Sequence, residues 1–195
     1  MNEGKQGKVG NMEYEVKIPV DDLSKVEDAL RKAGAKLEAH LKETDYYVDL
    51  RQCPGVPKDS ALRVRKTANL MTGETKGKIT CKTTPPGTPG EVKVREEIES
   101  EVSDPDAIVK AFMKLGFLVI RVSKERKVYA GVEGATVTLD KVEGLGNFVE
   151  VEVMNPEGPE DYVKRLNRIV NLLGLQGRPT ITKPYIQLLR ERLGK

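Results

Sequence analysis

The chain has 195 residues, 38% of them hydrophobic and 32% charged, which is enough apolar material for one good core. Its 33 basic and 30 acidic residues leave a net charge of +3. So even a balance predicts no specific nucleic-acid partner, and the placement of the charges matters more than their sum. No stretch approaches the roughly 20 apolar residues that span a bilayer, and no signal segment opens the chain, so a cytoplasmic protein with no membrane partner is expected.

Residues 1–11 are polar and Gly-rich and predict a disordered tail, followed by a single domain over 12–195. Residues 12–18 alternate strictly: Met12, Tyr14, Val16 and Ile18 share one face, and Glu13, Glu15 and Lys17 share the other. Residues 22–33 predict a helix with the stripe Leu23, Val26, Leu30 and Ala33, capped by Asp21 or Asp22 and ended by Gly34. Strand-like sequence runs from about 36 to 50, then a Pro/Gly loop over 51–60. ALRVRK (61–66) sets Arg63 and Arg65 opposite Leu62 and Val64, and KITCK (78–82) sets Lys78, Thr80 and Lys82 opposite Ile79 and Cys81. TTPPGTPG (83–90) is a loop, and 91–101 alternate again, with Glu97 and Glu99 on the polar side.

Asp104 and Pro105 open a second helix with the stripe Ile108, Phe112 and Leu115, ended by Gly116. A long strand covers about 118–129. Residues 135–141 and 147–153 flank the turn VEGLG as a hairpin. A third helix over 159–173 carries Tyr162, Leu166, Ile169, Val170 and Leu173, and a short helix spans about 184–193. The sum is about eight strands paired antiparallel, with helices, in the α+β class.

Nearly every strand carries a charged face opposite an apolar one. Together these faces hold Glu13, Glu15, Lys17, Arg63, Arg65, Lys82, Glu97, Glu99, Asp140, Glu150 and Glu152. An open sheet with solvated charges satisfies the pattern. So does a closed barrel with helices outside and charges inside. In a closed lumen, the lost hydration needs compensation: carboxylates by divalent cations, and basic groups by an anion rich in oxygens. Cys53 and Cys81 are too few for a disulfide framework or a CxxC zinc site, and the lone His40 excludes a multi-histidine zinc site within the chain. Any metal is therefore a hard cation on carboxylates. His40, Cys53 and Cys81 read as structural, and Tyr46, Tyr47, Tyr129 and Tyr185 as core or surface rings ahead of the alternative that they stack on a base or bond a phosphate.

The ordered motifs resemble those of the CYTH superfamily, the triphosphate tunnel metalloenzymes, over about 12–190. EYEVK resembles the ExExK strand, TDYYVD the D-x-Y-[FY]-D strand, ALRVRK the LRxR strand, and ITCK the TYK strand. REEIE resembles the ExE strand, SKERKVY the KxRxxY strand, and KPYIQLL the C-terminal SYxxLL, with Pro184 in place of the serine. TLDKVEGLGNFVEVE resembles LDxVxxLGxFxExE, nearest to the class IV adenylyl cyclase branch. The resemblance implies a closed antiparallel β-barrel of about eight strands forming a triphosphate tunnel, with helices packed outside. Mg²⁺ or Mn²⁺ is implied on Glu13, Glu15, Glu150 and Glu152, with Glu97, Glu99 and Asp140 in second rank. Lys17, Arg63, Arg65, Lys82, Lys124 and Arg126 are implied as the triphosphate grip, and Glu13, Glu15, Lys17, Glu150 and Glu152 as the catalytic set. Lys124 and Arg126 share parity with Leu118, Ile120 and Val122, so they face a lumen only if their strand bends, bulges or leaves the barrel. The implied function is conversion of ATP to cyclic AMP and pyrophosphate. Alternatives are hydrolysis of tripolyphosphate, thiamine triphosphate or nucleotides, and non-catalytic polyphosphate binding. A leftover apolar strand face would serve a homodimer.

Overall fold

The protein is described here by a computed structural model over residues 15–57, 60–83 and 96–194. The expected tail, strand residues 12–14, the loop 84–90 and strand residues 91–95 lie outside the described residues, and Glu13 with them. The elements in chain order are β1 (Glu15–Val20), α1 (Leu23–Lys32), β2 (Lys36–Val48), β3 (Ala61–Asn69), β4 (Thr75–Thr83) and β5 (Glu96–Val102). They continue with α2 (Pro105–Lys114), β6 (Val119–Val132), β7 (Ala135–Val142), β8 (Gly146–Val153), α3 (Pro159–Leu172) and α4 (Tyr185–Arg192). Hydrogen-bonded neighbours follow the order β1-β8-β7-β6-β2-β3-β4-β5 in one eight-stranded sheet. The pairs β1–β8, β8–β7, β7–β6 and β4–β5 are antiparallel, as the hairpin spacing predicts. β1 and β5 end that order, so the expected closed barrel is not completed among the described pairings; the expected first and fifth strands both extend into residues outside them. No helix among the described residues is long and apolar enough to cross a membrane.

The described residues pack as two compact units. One is built on residues 46–65 and 77–120, the other on 15–45, 66–76 and 121–194. The larger unit has its core on the apolar face of β1, β8 and β7, where Val16 lies opposite Val151, and Ile18 and Leu139 both flank Val149. Val26 and Leu30 of α1, Ile169 of α3 and Leu173 just beyond it cover that face. Full burial of each such side chain is worth about 1.5–3 kcal/mol. Asp22 caps α1 by accepting from Ser24 N at 2.9 Å, satisfying an amide that the first turn leaves unpaired.

In the smaller unit, Asp104 caps α2 by accepting from Ala107 N at 2.9 Å. The expected α2 stripe is only partly realised: Val109 is the buried residue and Leu115 is 75% exposed. Leu115 is the C-cap, beyond the helical repeat, while Phe112 meets Phe117 edge-on with centroids 5.9 Å apart.

The β6–β7 turn is tied down by α3. Its central residues, Glu133 and Gly134, both have positive φ (48° and 64°), as a tight two-residue hairpin turn requires. Arg165 of α3 donates to the carbonyls of Glu133 and Gly134 at 3.0 and 2.6 Å, and a Cβ on Gly134 would stand 2.5 Å from its Nη2. Just before the turn, the β6–β7 register slips between Tyr129 and Val132, with Gly131 at φ 91°. This bulge returns Val132 to the apolar face shared by Tyr129.

Candidate functional site

Register places the opposite face of the larger unit. Glu15 lies across from Glu152, and Lys17 across from Glu150. On the other side of β8, Glu150 faces Thr138, while Asp140 faces Arg126 of β6. Alternation then brings Glu15, Lys17, Glu150, Glu152, Thr138, Asp140, Arg126 and Lys124 onto one face. Lys124 and Arg126 reach it without an irregularity, since the register is unbroken from Lys124 to Tyr129. A bulge does exist on this strand but lies beyond them, between Tyr129 and Val132, so the condition set by their parity is not what brings them here. The bulge moves the apolar residues that follow, and Val122, of the same parity as Lys124, is buried.

Most of the seven charged groups are withdrawn from water, and they and Thr138 all have partners. Lys17 ion-pairs with Glu15 and, at 3.0 Å, with Glu150. Arg126 donates Nε to Asp140 Oδ1 at 2.7 Å and Nη2 to Asp140 Oδ2 and Glu150. Thr138 Oγ1 donates to Glu150 at 3.3 Å. Glu152 has a partner as well. Lys124 ion-pairs with two carboxylates of β2, Glu43 at 2.8 Å and Asp45 at 3.6 Å. Asp140 is fully buried, and its Oδ2 also accepts from Tyr185 Oη at 2.9 Å. The Tyr185 ring stands edge-on to Phe148 and has the Lys17 and Lys124 ammonium groups 5.6 and 5.9 Å from its centroid.

These contacts set the protonation states. Burial, then the hydrogen bond and charge of Glu150, push the Glu15 carboxyl up to about 7. Burial would also raise Glu150, but Arg126, the hydrogen bond from Glu15 and Lys17 outweigh it and hold Glu150 at about 2. Near neutrality the two carboxyls thus share a proton that resides on Glu15. Burial works against the Lys17 and Arg126 charges, but the facing carboxylates overcome it and hold both above their ordinary values. Neither group is a proton acceptor near neutrality. His40 pairs with Glu125 at 2.7 Å on an exposed part of β2 and β6.

The smaller unit carries its own charged face. Arg63 Nη2 donates to Thr80 Oγ1 at 3.3 Å, and Thr80 donates to Glu99 at 3.0 Å. Glu99 pairs with Lys78 at 2.8 Å and Glu97 with Lys82 at 3.0 Å. The lysine and hydroxyl partners lower the Glu99 pKa. Arg65 has partners as well. The expected grip residues of this unit therefore sit among the second-rank acidic ones.

Glu43, Asp45 and the hydroxyl of Tyr185 are the members that sequence reasoning missed. Asp45 stands in the TDYYVD segment that carries the resemblance, and with Glu43 it follows the i, i+2 rule for a shared strand face. As for a cation, the described residues contain no group of three or more carboxylate, histidine or cysteine side chains arranged to hold a metal. The Glu15–Glu150 pair nonetheless fits a hard cation: both offer oxygen donors, and both are close enough to share a proton that a cation would replace. Asp140 fits less well, because Arg126 and Tyr185 already occupy its oxygens.

A strand face that buries two lysines and half-buries an arginine among carboxylates has the chemistry of a polyanion grip. The CYTH domain model matches residues 11–185, and the chain belongs to that family. A Methanocaldococcus jannaschii protein named "Putative adenylate cyclase MJ0240" is 29% identical over 180 residues, covering 91% of this chain and 98% of that one. The solved PH1012 protein of Pyrococcus horikoshii is 31% identical, with a TM-score of 0.69, over 91% of this chain and 99% of that one. The Hippeastrum protein HpAC1, described as a "putative adenylyl cyclase" with a dominant triphosphatase activity, shares the fold. Its TM-score is 0.61 at 21% identity, over 92% of this chain and 95% of that one.

Proposed function

We propose that the protein is a metal-dependent enzyme acting on a triphosphate, converting ATP to cyclic AMP and pyrophosphate. The observation that carries this is the set of Lys17 and Lys124, both buried, and the half-buried Arg126, facing carboxylates on β1, β2, β7 and β8. Such a set offers point charges and a planar guanidinium to phosphoryl oxygens, and an incoming phosphate chain would take over cations now neutralised by the chain's own carboxylates. Family membership and the name of the M. jannaschii relative support the same class. Arg63, Arg65 and Lys82 are assigned to the same substrate by the resemblance alone, as is the closed, tunnel-forming sheet.

Glu15, Glu150 and Glu152, with Glu13 by resemblance, would hold Mg²⁺ or Mn²⁺, which when bound supplies charge neutralisation on the phosphate oxygens. The chain's residues account for the rest. Lys17, Lys124 and Arg126 bind and orient the phosphates, and their burial strengthens each contact. The ribose 3′-hydroxyl attacks the α-phosphorus in line and pyrophosphate leaves. The hydroxyl proton goes to a carboxylate of this face or to water. Lys17 is excluded from that role because it stays charged.

Hydrolysis of a triphosphate is the second reading, because the same grip serves water attack at the terminal phosphorus. The test is product analysis with ATP and, separately, tripolyphosphate in Mg²⁺ or Mn²⁺. Cyclic AMP with pyrophosphate supports the cyclase. Orthophosphate without cyclic AMP moves the assignment to triphosphatase. Saturable triphosphate binding without turnover leaves a binding module.

A further inference from the structure

The α4 helix delivers one side chain into the charged face of the larger unit. Its approach is set by backbone bonds: Lys17 N donates to Ile181 O at 2.9 Å and Ile181 N to Lys17 O at 2.7 Å, forming an isolated antiparallel bridge on β1. Pro184 follows, extended at φ −66° and ψ 151°, and its carbonyl accepts from Gln187 N at 2.9 Å as the helix opens. The first helical residue, Tyr185, is therefore held next to the strand that carries Lys17. Tyr185 is 7% exposed.

Four groups converge on that side chain. Its hydroxyl donates to Asp140 Oδ2, on the carboxylate that binds Arg126 through two nitrogens. Its ring lies within 6 Å of both ammonium groups, Lys17 and Lys124, and rests edge-on against Phe148. Burial and the Asp140 charge push the phenol well above its ordinary value, so it stays a donor throughout the physiological range. A fully buried Asp140 has no solvent to hold it in place, so the direction of its two Arg126 bonds depends on what its second oxygen meets.

We infer that Tyr185 is a positioning residue for the triphosphate grip: its hydroxyl aims Arg126 through Asp140, and its ring orders the Lys17 and Lys124 ammonium groups around a common site. The inference rests on the triphosphate reading above and adds a residue to it. Tyr185 acts through other groups and makes no contact with the reacting atoms.

Tyr185→Phe removes the hydroxyl and keeps the ring, while Tyr185→Leu removes both. Tripolyphosphate binding is measured by calorimetry on the metal-free protein, and KM and kcat with Mn²⁺ on the substrate that the wild type turns over. Thermal unfolding of each variant runs alongside. The loss of one hydrogen bond to a charged group predicts that Tyr185→Phe raises Kd and KM about ten- to a hundredfold, with kcat changed less than about twofold. Tyr185→Leu raises Kd further. A Tyr185→Phe protein that is less stable but binds tripolyphosphate as the wild type does would make the residue merely structural and overturn the inference alone. A wild type that binds no tripolyphosphate would overturn the triphosphate reading, and the inference with it. If Tyr185→Leu does not fold, Tyr185→Phe decides, since it conserves the ring and its packing on Phe148.

Discussion

Arg126 offers the sharpest stability test of the charged face. Its guanidinium holds the fully buried Asp140 through two nitrogens and also meets Glu150. Arg126→Met keeps much of the side-chain volume and leaves both carboxylates facing each other's charge without their shared cation. Breaking a buried ion pair from one side costs about 3–5 kcal/mol. At roughly 2–4 °C per kcal/mol for a chain of this size, the melting temperature should fall on the order of 10 °C. Neutralising the orphaned partner should recover part of the loss, so Arg126→Met/Asp140→Asn is expected to be more stable than the sum of the two single changes by at least about 1 kcal/mol. Urea unfolding followed by circular dichroism at pH 7 reads all four proteins. A loss below about 1 kcal/mol for Arg126→Met, or strict additivity in the double variant, would refute the buried-cluster account.

Three further outcomes follow from the same contacts. The Glu15 carboxyl, raised to about 7, binds a proton more tightly in the folded state than in the unfolded one. Metal-free stability should therefore fall as pH rises from about 4.5 to 7, and Glu15→Gln should flatten that arm. On the acid side the sign reverses. Glu150 is depressed to about 2 by Arg126, Glu15 and Lys17 acting against burial, and Glu27 to about 2 by Lys127, Tyr129 and Arg31 acting against burial. Denaturation curves should thus lose stability as pH falls from about 4.5 towards 2. Glu27→Gln should cost about 1–2 kcal/mol in urea titrations, because Glu27 accepts from Lys127 at 2.8 Å and Tyr129 at 2.7 Å, and it should leave triphosphate binding unchanged, because these partners lie away from the charged face.

The alternation of β1, β7 and β8 made the charged face legible, since period two in a half-buried strand assigns every side chain to one side or the other. Lys17, Glu150, Arg126 and Asp140 meet there as that pattern and the family motifs together imply. Other members were hidden for identifiable reasons. Glu43 and Asp45 sit in a stretch, KETDYYVDL, whose polar residues fill both faces, so the period does not single them out. Glu27 looks like an exposed helix residue paired at i+4 with Arg31; its burial comes from Lys127 and Tyr129, about a hundred positions away. Tyr185 reads as a packing ring, and only the β1–Ile181 bridge shows where its hydroxyl lands. Parity alone leaves open whether β6 bends, bulges or leaves the sheet; the bulge observed near Gly131 falls after Lys124 and Arg126 and does not re-aim them. Leu115 was assigned to the α2 stripe, but the helix stops one residue earlier.

The measurement that bears most directly on the function is turnover of ATP and tripolyphosphate by the wild type and Glu150→Gln, each in Mn²⁺ with folding checked by circular dichroism. The account predicts product from at least one substrate with the wild type, and a loss of at least about a hundredfold in Glu150→Gln with its fold retained, since one change removes both a proposed metal oxygen and the partner of Lys17 and Arg126. Equal turnover by the two proteins would contradict it, and would return Glu150 to an ordinary charged residue on a sheet face.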